Sequence, residues 1–229
     1  QGVHQVKTTI FHENGRKASE GVFIDQQKDG LWKYYTNTDT LIAVEHYDHG
    51  HRTGLWQIFS PESGVLLEES NYLNDKLNGV HKTYYTDGEV SLEENYLDGK
   101  LNGKCTAYYP KKVISSTGNY LKGYRIGSWD FYDMNGKIRS TMEYANQRLV
   151  KTYVYLYVKT VGQKINQDLI AYFLKKDDHA VAVLRNGNRI EMDENLDQIM
   201  LWADFAVFTR IAPSVIAATD AIVGYKDVQ

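Results

Sequence analysis

A glycine that returns every 24 or 25 residues constrains the fold of this chain more than any other feature of its sequence. The five glycines are Gly30, Gly54, Gly79, Gly103 and Gly127. The residues two places after them are Trp32, Trp56, His81, Cys105 and Trp129, and those five places after them are Tyr35, Phe59, Tyr84, Tyr108 and Tyr132. A later tyrosine column comprises Tyr47, Tyr72, Tyr96, Tyr120 and Tyr144. Three columns that keep one period over five units identify an internal repeat.

Each unit has the pattern of a β-hairpin. In the unit that starts at Gly79, the run 79–85 predicts a first strand and 89–97 predicts a second. Asp87-Gly88 lies between them, and such a pair tolerates positive φ and suits a two-residue hairpin turn. The polar residues 98–102 then link this unit to the next glycine.

Two further turn pairs extend the pattern. Asn135-Gly136 predicts the turn of the last unit, and Asn14-Gly15 predicts a turn in residues 1–29, which we expect to form a partial leading unit. The chain has 18 Tyr, 7 Phe and only 3 Pro, a composition that favours strands and tight turns. A lone hairpin is marginal in water, so neighbouring hairpins must supply the burial. We therefore expect a mainly β protein with an elongated, twisted antiparallel sheet of tandem hairpins.

The repeat columns are expected to be structural. Each recurring glycine serves backbone geometry, where φ is positive or a side chain would clash. The Trp and Tyr columns form aromatic ladders that are the core of a thin sheet. Cys105 occupies the Trp column, so we expect a small buried filler at this position and not a nucleophile.

This lattice resembles the MORN repeat, in the variant found in bacterial proteins of the YwqK antitoxin-like family. The resemblance rests on the pattern G-x-W-x-x-Y, D/N-G, Y-x-x-G-x-x-x-G, which is clearest from Gly79 to Gly103. It implies a scaffold that contacts protein or lipid.

The lattice stops after Tyr144, and a second domain is expected over 150–229 after a repeat domain over 1–149. Strands are predicted at 150–158, 169–173, 180–184, 189–192, 206–211, 215–216 and 221–225. A helix is predicted over Asn195–Trp202, with Asp193 as its N-cap. The second domain is thus small and α+β, and it could cap the repeat array.

The C-terminal segment resembles a LytTR-type DNA-binding domain in the stretches 168–173, 186–199 and 210–222. In that family the last stretch supplies DNA contacts, so the resemblance implies that Arg210 and Ser214 would bind DNA. Pro213 and Ala218 replace an arginine and an asparagine of the family pattern, which implies that DNA binding is lost or altered.

The charge balance also disfavours DNA. The formal net charge is −3, and neither part of the chain has the basic excess typical of nucleic-acid binding. The single cysteine allows no intrachain disulfide and leaves the redox compartment open. The sequence starts at Gln1, so export to the periplasm or cell envelope is favoured over a cytoplasmic location.

Three polar groups could carry chemistry, and each has a simpler explanation. His46, His49 and His51 have a spacing that zinc could accept, but a solvated turn is expected there. The acidic run before His179 is expected to be a polar hairpin turn. The pairs 68–69 and 93–94 recur as Glu-Glu, which predicts solvent-facing residues that could meet a basic partner.

The function favoured by the sequence is a non-enzymatic binding scaffold without metal or cofactor. A protein is the preferred partner, a membrane or cell-envelope surface comes second, and DNA is disfavoured. Alternative hypotheses are a transcriptional regulator with a DNA-binding C-terminal domain and a repeat whose aromatic residues bind choline or carbohydrate. An enzyme is the remaining rival, and a deep pocket holding a group with a strongly shifted pKa would favour it.

Overall fold

The computed structural model describes residues 4–158, 161–200 and 208–218, and these are mainly β with a single α-helix. The expected fold class, a long antiparallel sheet of hairpins, is confirmed. The chain divides into two compact units, one formed by residues 1–127 and 134–136 and the other by 128–133 and 137–229. This division falls earlier in the chain than the boundary at 149/150 expected from the sequence.

The first unit is a sheet in which each long strand pairs antiparallel with the next. Its strands are β1 (Gln5–Phe11), β2 (Lys17–Ile24), β3 (Gln27–Tyr35), β4 (Leu41–Asp48), β5 (His51–Arg52), β6 (Gly54–Phe59), β7 (Leu66–Leu73), β8 (Lys76–Tyr84), β9 (Val90–Leu97), β10 (Lys100–Leu101), β11 (Gly103–Tyr109) and β12 (Val113–Leu121). The order is β1-β2-β3-β4-β6-β7-β8-β9-β11-β12, with the short β5 and β10 on β4 and β9. A 3-10 turn, Pro110–Lys112, separates β11 from β12.

The links between units are themselves the two-residue turns. Both residues have positive φ in the pairs Asp25-Gln26, His49-Gly50, Asn74-Asp75, Asp98-Gly99 and Lys122-Gly123. Positive φ at both central positions defines a type I′ turn, whose twist matches that of paired strands. The polar links seen in the sequence are therefore the tight ends of a second set of hairpins.

The turns expected at the Asp-Gly and Asn-Gly pairs are longer than predicted. The Tyr85 N–H donates to the Glu89 carbonyl at 2.8 Å, so three residues and not two connect these strands. In these pairs only the glycine has positive φ, as in Gly88 at +84°. The two-residue prediction was wrong there because a type I′ turn needs left-handed backbone at both positions. The register shift between Thr83 and Tyr84 accommodates the extra residue.

Each recurring glycine lies at a break in the strand ladder. On β2 and β3 the pairing steps from Glu20↔Lys33 to Val22↔Asp29, so the three residues 30–32 bulge against Gly21. The five glycines have φ between +61° and +112°, a conformation that favours glycine. The bulge projects the residue two places after the glycine, such as Trp32, onto one face of the sheet, which we call the Trp face. The opposite face, which carries the exposed side chains Leu73, Leu97 and Leu121, is called the Leu face.

The second unit contains a separate core. Its strands are β13 (Tyr124–Tyr132), which begins in the first unit, β14 (Ile138–Ala145), β15 (Arg148–Val158), β16 (Val161–Asn166), β17 (Ile170–Lys176), β18 (His179–Leu184), β19 (Arg189–Glu191), β20 (Phe208–Ala212) and β21 (Val215–Ala218). A 3-10 turn, Gln167–Leu169, precedes β17. The sheet β19-β18-β17-β21-β20 and the helix α1 (Leu196–Met200) enclose a core that includes Phe173 and Ile199.

The cap of α1 differs from the prediction. The Asn195 Oδ1 accepts the Gln198 N–H at 3.0 Å, and the Gln198 Oε1 accepts the Asn195 N–H at 2.9 Å. This reciprocal pair is a capping box, so Asn195 and not Asp193 caps the helix. Trp202 and the strand predicted over 221–225 lie outside the described residues.

Candidate functional site

The tryptophans of the Trp face are held at both ends of their rings. The Trp32 Nε1 donates to the Val22 carbonyl at 3.1 Å, and Phe23 meets the indole edge-on at 4.9 Å. Trp56 repeats the arrangement by donating to the His46 carbonyl at 3.0 Å. Its ring also packs between Tyr47 and Tyr72, at 5.2 Å from each. The indole N–H groups and ring edges are thus already occupied by contacts within the sheet.

The chain's own cations cover these aromatic rings. The Lys28 Nζ lies 4.8 Å from the Trp32 ring, 5.1 Å from Tyr34 and 5.0 Å from Tyr47, and it donates to the Tyr34 hydroxyl. One unit later, the Arg52 guanidinium lies 4.5 Å from the Tyr72 ring. Such contacts are the ones that a quaternary ammonium ligand would make. These aromatic sites are therefore occupied by lysine and arginine side chains of the same sheet.

A fourth repeat column, missed in the sequence, holds the bulges in place. At three of the recurring glycines, the side chain eight places before the glycine bonds the carbonyl of the residue that follows the glycine. The bonds are Asn71 Nδ2 to Val80 O at 2.7 Å, Asn95 Nδ2 to Lys104 O at 2.8 Å and His46 Nδ1 to Leu55 O at 2.8 Å. The recurring Asn-Tyr-Leu triplets at 71–73, 95–97 and 119–121 were the available signal.

A polar cluster replaces tryptophan in the middle of the array. The Ser70 Oγ donates to the Glu68 Oε1 at 2.7 Å and lies 2.9 Å from the His81 Nδ1. A nucleophilic serine must present its oxygen to substrate while the base is held from its far side. Here Ser70 is buried, and the serine and Glu68 approach the same ring nitrogen. The cluster therefore has the geometry of a satisfied core network.

Cys105 follows in the same column and is buried, with its side chain beside Glu94. Its Sγ lies 3.9 Å from the Glu94 Oε1. Burial, and then the negative charge of Glu94, raise the pKa of the Cys105 thiol to about 11. Reactive cysteines need the opposite environment, which lowers the pKa and exposes the sulfur.

The Leu face carries a row of exposed leucines, which we call the leucine row: Leu73, Leu97 and Leu121. They are 51%, 54% and 50% exposed. Each directly follows a tyrosine of the Trp face and so points to the opposite face. The strands β7, β9 and β12 that carry them alternate with other strands, which places successive leucines about 10 Å apart.

Lysines accompany each member of the leucine row. Lys76 is opposite Leu73 and Lys100 is opposite Leu97 in the strand register, and Lys122 directly follows Leu121. All three lysines are exposed. Asp75 and Asp98 are exposed in the same turns, so the row is an apolar strip with charges of both signs beside it.

The hairpin β8–β9 has both strands of one repeat, a Tyr84, an Asp87-Gly88 turn and a second aromatic, Tyr96. Residues 77–98 match the family model of the MORN repeat variant. No curated protein matches the chain. The match covers one hairpin, and the other units of the lattice resemble this MORN repeat.

The three histidines of the first MORN-type link do not converge. His46 bonds Leu55 as described, and the His51 Nδ1 lies 2.6 Å from Asp75. His49 lies 2.6 Å from Asp48, and its backbone N–H donates to Asp29 at 3.0 Å. Among the described residues, Asp29, Asp48 and His49 form the group that could hold a metal ion. Asp48, and then Asp29, raise the pKa of His49.

The acidic pairs lie in the sheet as half-buried residues. Glu69 accepts the Tyr84 hydroxyl at 2.6 Å and the Gln57 amide at 2.9 Å, and Glu93 pairs with Lys82 at 3.0 Å. The step from Gly54 to Gly79 is 25 residues instead of 24, and the extra residue lies in the β6–β7 loop. Glu69 and Glu93 are therefore equivalent positions, ten places before the following glycine, and the two Glu-Glu pairs are offset by one residue.

The residues singled out for DNA contact lie at one hairpin of the second unit. The Arg210 guanidinium donates to Asp197 at 2.6 Å and to the Pro213 carbonyl at 2.8 Å. Ser214 is exposed, and its carbonyl accepts the Lys175 N–H at 2.9 Å. Both residues therefore lie beside the β20–β21 turn, and the arginine is engaged by its own unit. In the described part of the chain no helix is long and apolar enough to cross a membrane.

Proposed function

We propose that the MORN-type sheet is a non-enzymatic scaffold that binds a protein partner through the leucine row. MORN repeats are commonly involved in binding or scaffolding. The observation that carries the proposal is that Leu73, Leu97 and Leu121 stay half exposed at repeat spacing, outside the columns that build the sheet. Exposed apolar residues grouped on one face and rimmed by polar residues are typical of interaction surfaces.

The chemistry of the row suggests its partner. Three leucines about 10 Å apart suit an apolar ridge on a protein. The lysines and aspartates beside the row favour a rim of complementary charge around that ridge, since complementary charge speeds association and fixes orientation. The resemblance to YwqK-family proteins suggests an antitoxin-like role, in which the partner would be a toxin protein.

Three rival functions have less support. Choline or carbohydrate binding would need open aromatic rings, and Lys28 and Arg52 cover those of the first two units. DNA binding by a LytTR-like second unit would need Arg210 to leave Asp197. Nucleophilic catalysis by Ser70 or Cys105 would need an accessible and activated side chain, whereas Ser70 is buried and the Cys105 thiol keeps its proton.

The test compares the wild type with the triple variant Leu73→Ser, Leu97→Ser, Leu121→Ser in the native cells. Each tagged form is purified, and the proteins recovered with it are quantified by mass spectrometry. Met134→Ser is the matched control, because Met134 is 71% exposed in a turn away from the row. We expect one protein to be enriched with the wild type and the control and to fall at least about tenfold with the triple variant. Equal recovery with all three forms, each with an unchanged Tm, would refute the proposal.

A further inference from the structure

The first strand leaves one edge of the sheet open. β1 pairs with β2, and no other strand of the described residues pairs with β1. Six of its seven residues are exposed, including Val6, Ile10 and Phe11 at 41%, 48% and 60%. Proteins usually blunt such an edge with proline, a bulge or several charges. β1 has no proline, Lys7 is its single charged residue, and its register shift against β2 lies at its end, between Ile10 and Phe11.

The backbone of β1 has a defined polarity at this edge. The His4 carbonyl accepts the Asp25 N–H at 3.0 Å, and the His12 N–H donates to the Arg16 carbonyl at 2.8 Å, both toward β2. Backbone groups alternate in direction along a strand, so the even-numbered residues between them also face β2. The N–H and C=O groups that face outward belong to Gln5, Lys7, Thr9 and Phe11.

The side chains of β1 are self-complementary in one antiparallel register. If Thr8 lies opposite Thr8 of a second copy, Val6 meets Ile10. Both lie on the Trp face, where Val6 is also opposite Phe23 of β2. In the same register Lys7 meets Thr9, and both are residues whose backbone groups face outward. A shift of two residues in one direction would place Lys7 opposite Lys7, and like charges directly opposite are destabilising. The same shift in the other direction would place Val6 opposite His12 and Ile10 opposite Thr8, which separates the apolar pair.

We infer that β1 pairs with β1 of a second copy of this chain about a two-fold axis at Thr8, which joins two sheets into one. Each copy contributes the outward backbone groups of four residues to the shared ladder. The apolar pairs of Val6 and Ile10 flank the axis, and this surface is covered in the dimer. Such a dimer would present two leucine rows, but the inference rests on β1 alone and is independent of the proposed function.

The test uses the 229-residue chain and two variants, Thr8→Lys and Thr8→Glu. In either variant the two-fold axis at position 8 places like charges opposite each other, so we expect the dissociation constant of the dimer to rise at least about tenfold. An equimolar mixture places lysine opposite glutamate and should restore the dimer, which misfolded variants could not do. Sedimentation equilibrium with one variant carrying a fluorescent label measures both results.

Ser63→Lys and Ser63→Glu are the charge-matched controls, because Ser63 is exposed in the β6–β7 loop. They should dimerise like the wild type. The inference is overturned if the wild type is monomeric up to roughly 100 μM. It is also overturned if the wild type dimerises and the Thr8 variants dimerise equally well, or if their mixture does not recover.

Discussion

Gly21 lies so close to the indole of Trp32 that a β-carbon at Gly21 would be 2.3 Å from the Trp32 Cδ2. The two residues meet at the bulge where β3 departs from β2. A buried tryptophan at a β-bulge thus depends on a strand partner that has no side chain.

Gly21→Ala should lower the free energy of unfolding by about 3 kcal/mol, because the added methyl group overpacks the Trp32 site. In a Trp32→Leu background the same change should cost clearly less, since the contact atoms are gone. Urea unfolding of the four proteins of this cycle gives the coupling between the two sites. Strictly additive costs would show that the close approach has no energetic weight.

Asn71→Asp should lower the free energy of unfolding by about 1–3 kcal/mol, because the amide donor to the Val80 carbonyl is replaced by a carboxylate oxygen. Asn74→Asp is the control, since Asn74 is exposed and Asp98 occupies the equivalent turn position. It should change stability by less than about 0.5 kcal/mol. Similar losses of stability in both variants would show that the Asn71 side-chain hydrogen bond does not stabilise the sheet.

Alkaline pH should destabilise the fold. Burial, and then the neighbouring Glu20, raise the pKa of Tyr35 to about 12, and burial with Glu94 raises the pKa of Tyr96 to about 12. Above pH 10 the unfolded chain therefore loses phenolic protons that the folded chain keeps, so stability falls as pH rises from 10 to 12. Chemical unfolding at several pH values should show a shallower decline for Tyr35→Phe with Tyr96→Phe. An unchanged slope would contradict the prediction.

Cys105 should be unreactive in the folded protein. Its thiol is buried and has a raised pKa, so reaction with a disulfide reagent at neutral pH should be at least about 100-fold slower than in the denatured chain. Glu94→Gln should lower the thiol pKa only modestly, because burial is the larger cause. A native rate close to the denatured rate would place Cys105 among reactive cysteines.

The repeat period and the hairpin architecture could be predicted because the glycine column and the two tyrosine-rich columns keep their residue type over five units. The Asn71 and Asn95 column kept its type as well, but a polar residue in a strand gives no sign of its partner until the bulge is known. The turn type at Asp87-Gly88 could not be predicted, since an Asp-Gly pair fits both two-residue and three-residue connections.

The candidate site was less predictable than the fold. Leu97 directly follows Tyr96 between polar residues, and only the strand alternation shows that one is packed and the other exposed. The Glu-Glu pairs at 68–69 and 93–94 looked equivalent in the sequence, but the one added loop residue offsets them, so that Glu69 and Glu93 are the equivalent positions. Arg210 matched a family pattern, whereas its bond to Asp197 depends on tertiary structure.

Photocrosslinking from position 97 tests the central claim most directly. A benzophenone amino acid replaces Leu97 in one form of the chain and Met134 in another, and both are irradiated in the native cells. We predict one protein adduct from position 97, and the same adduct when the probe replaces Leu73, with none from position 134. No adduct from position 97, or the same adducts from both exposed positions, would contradict the leucine row as the binding surface.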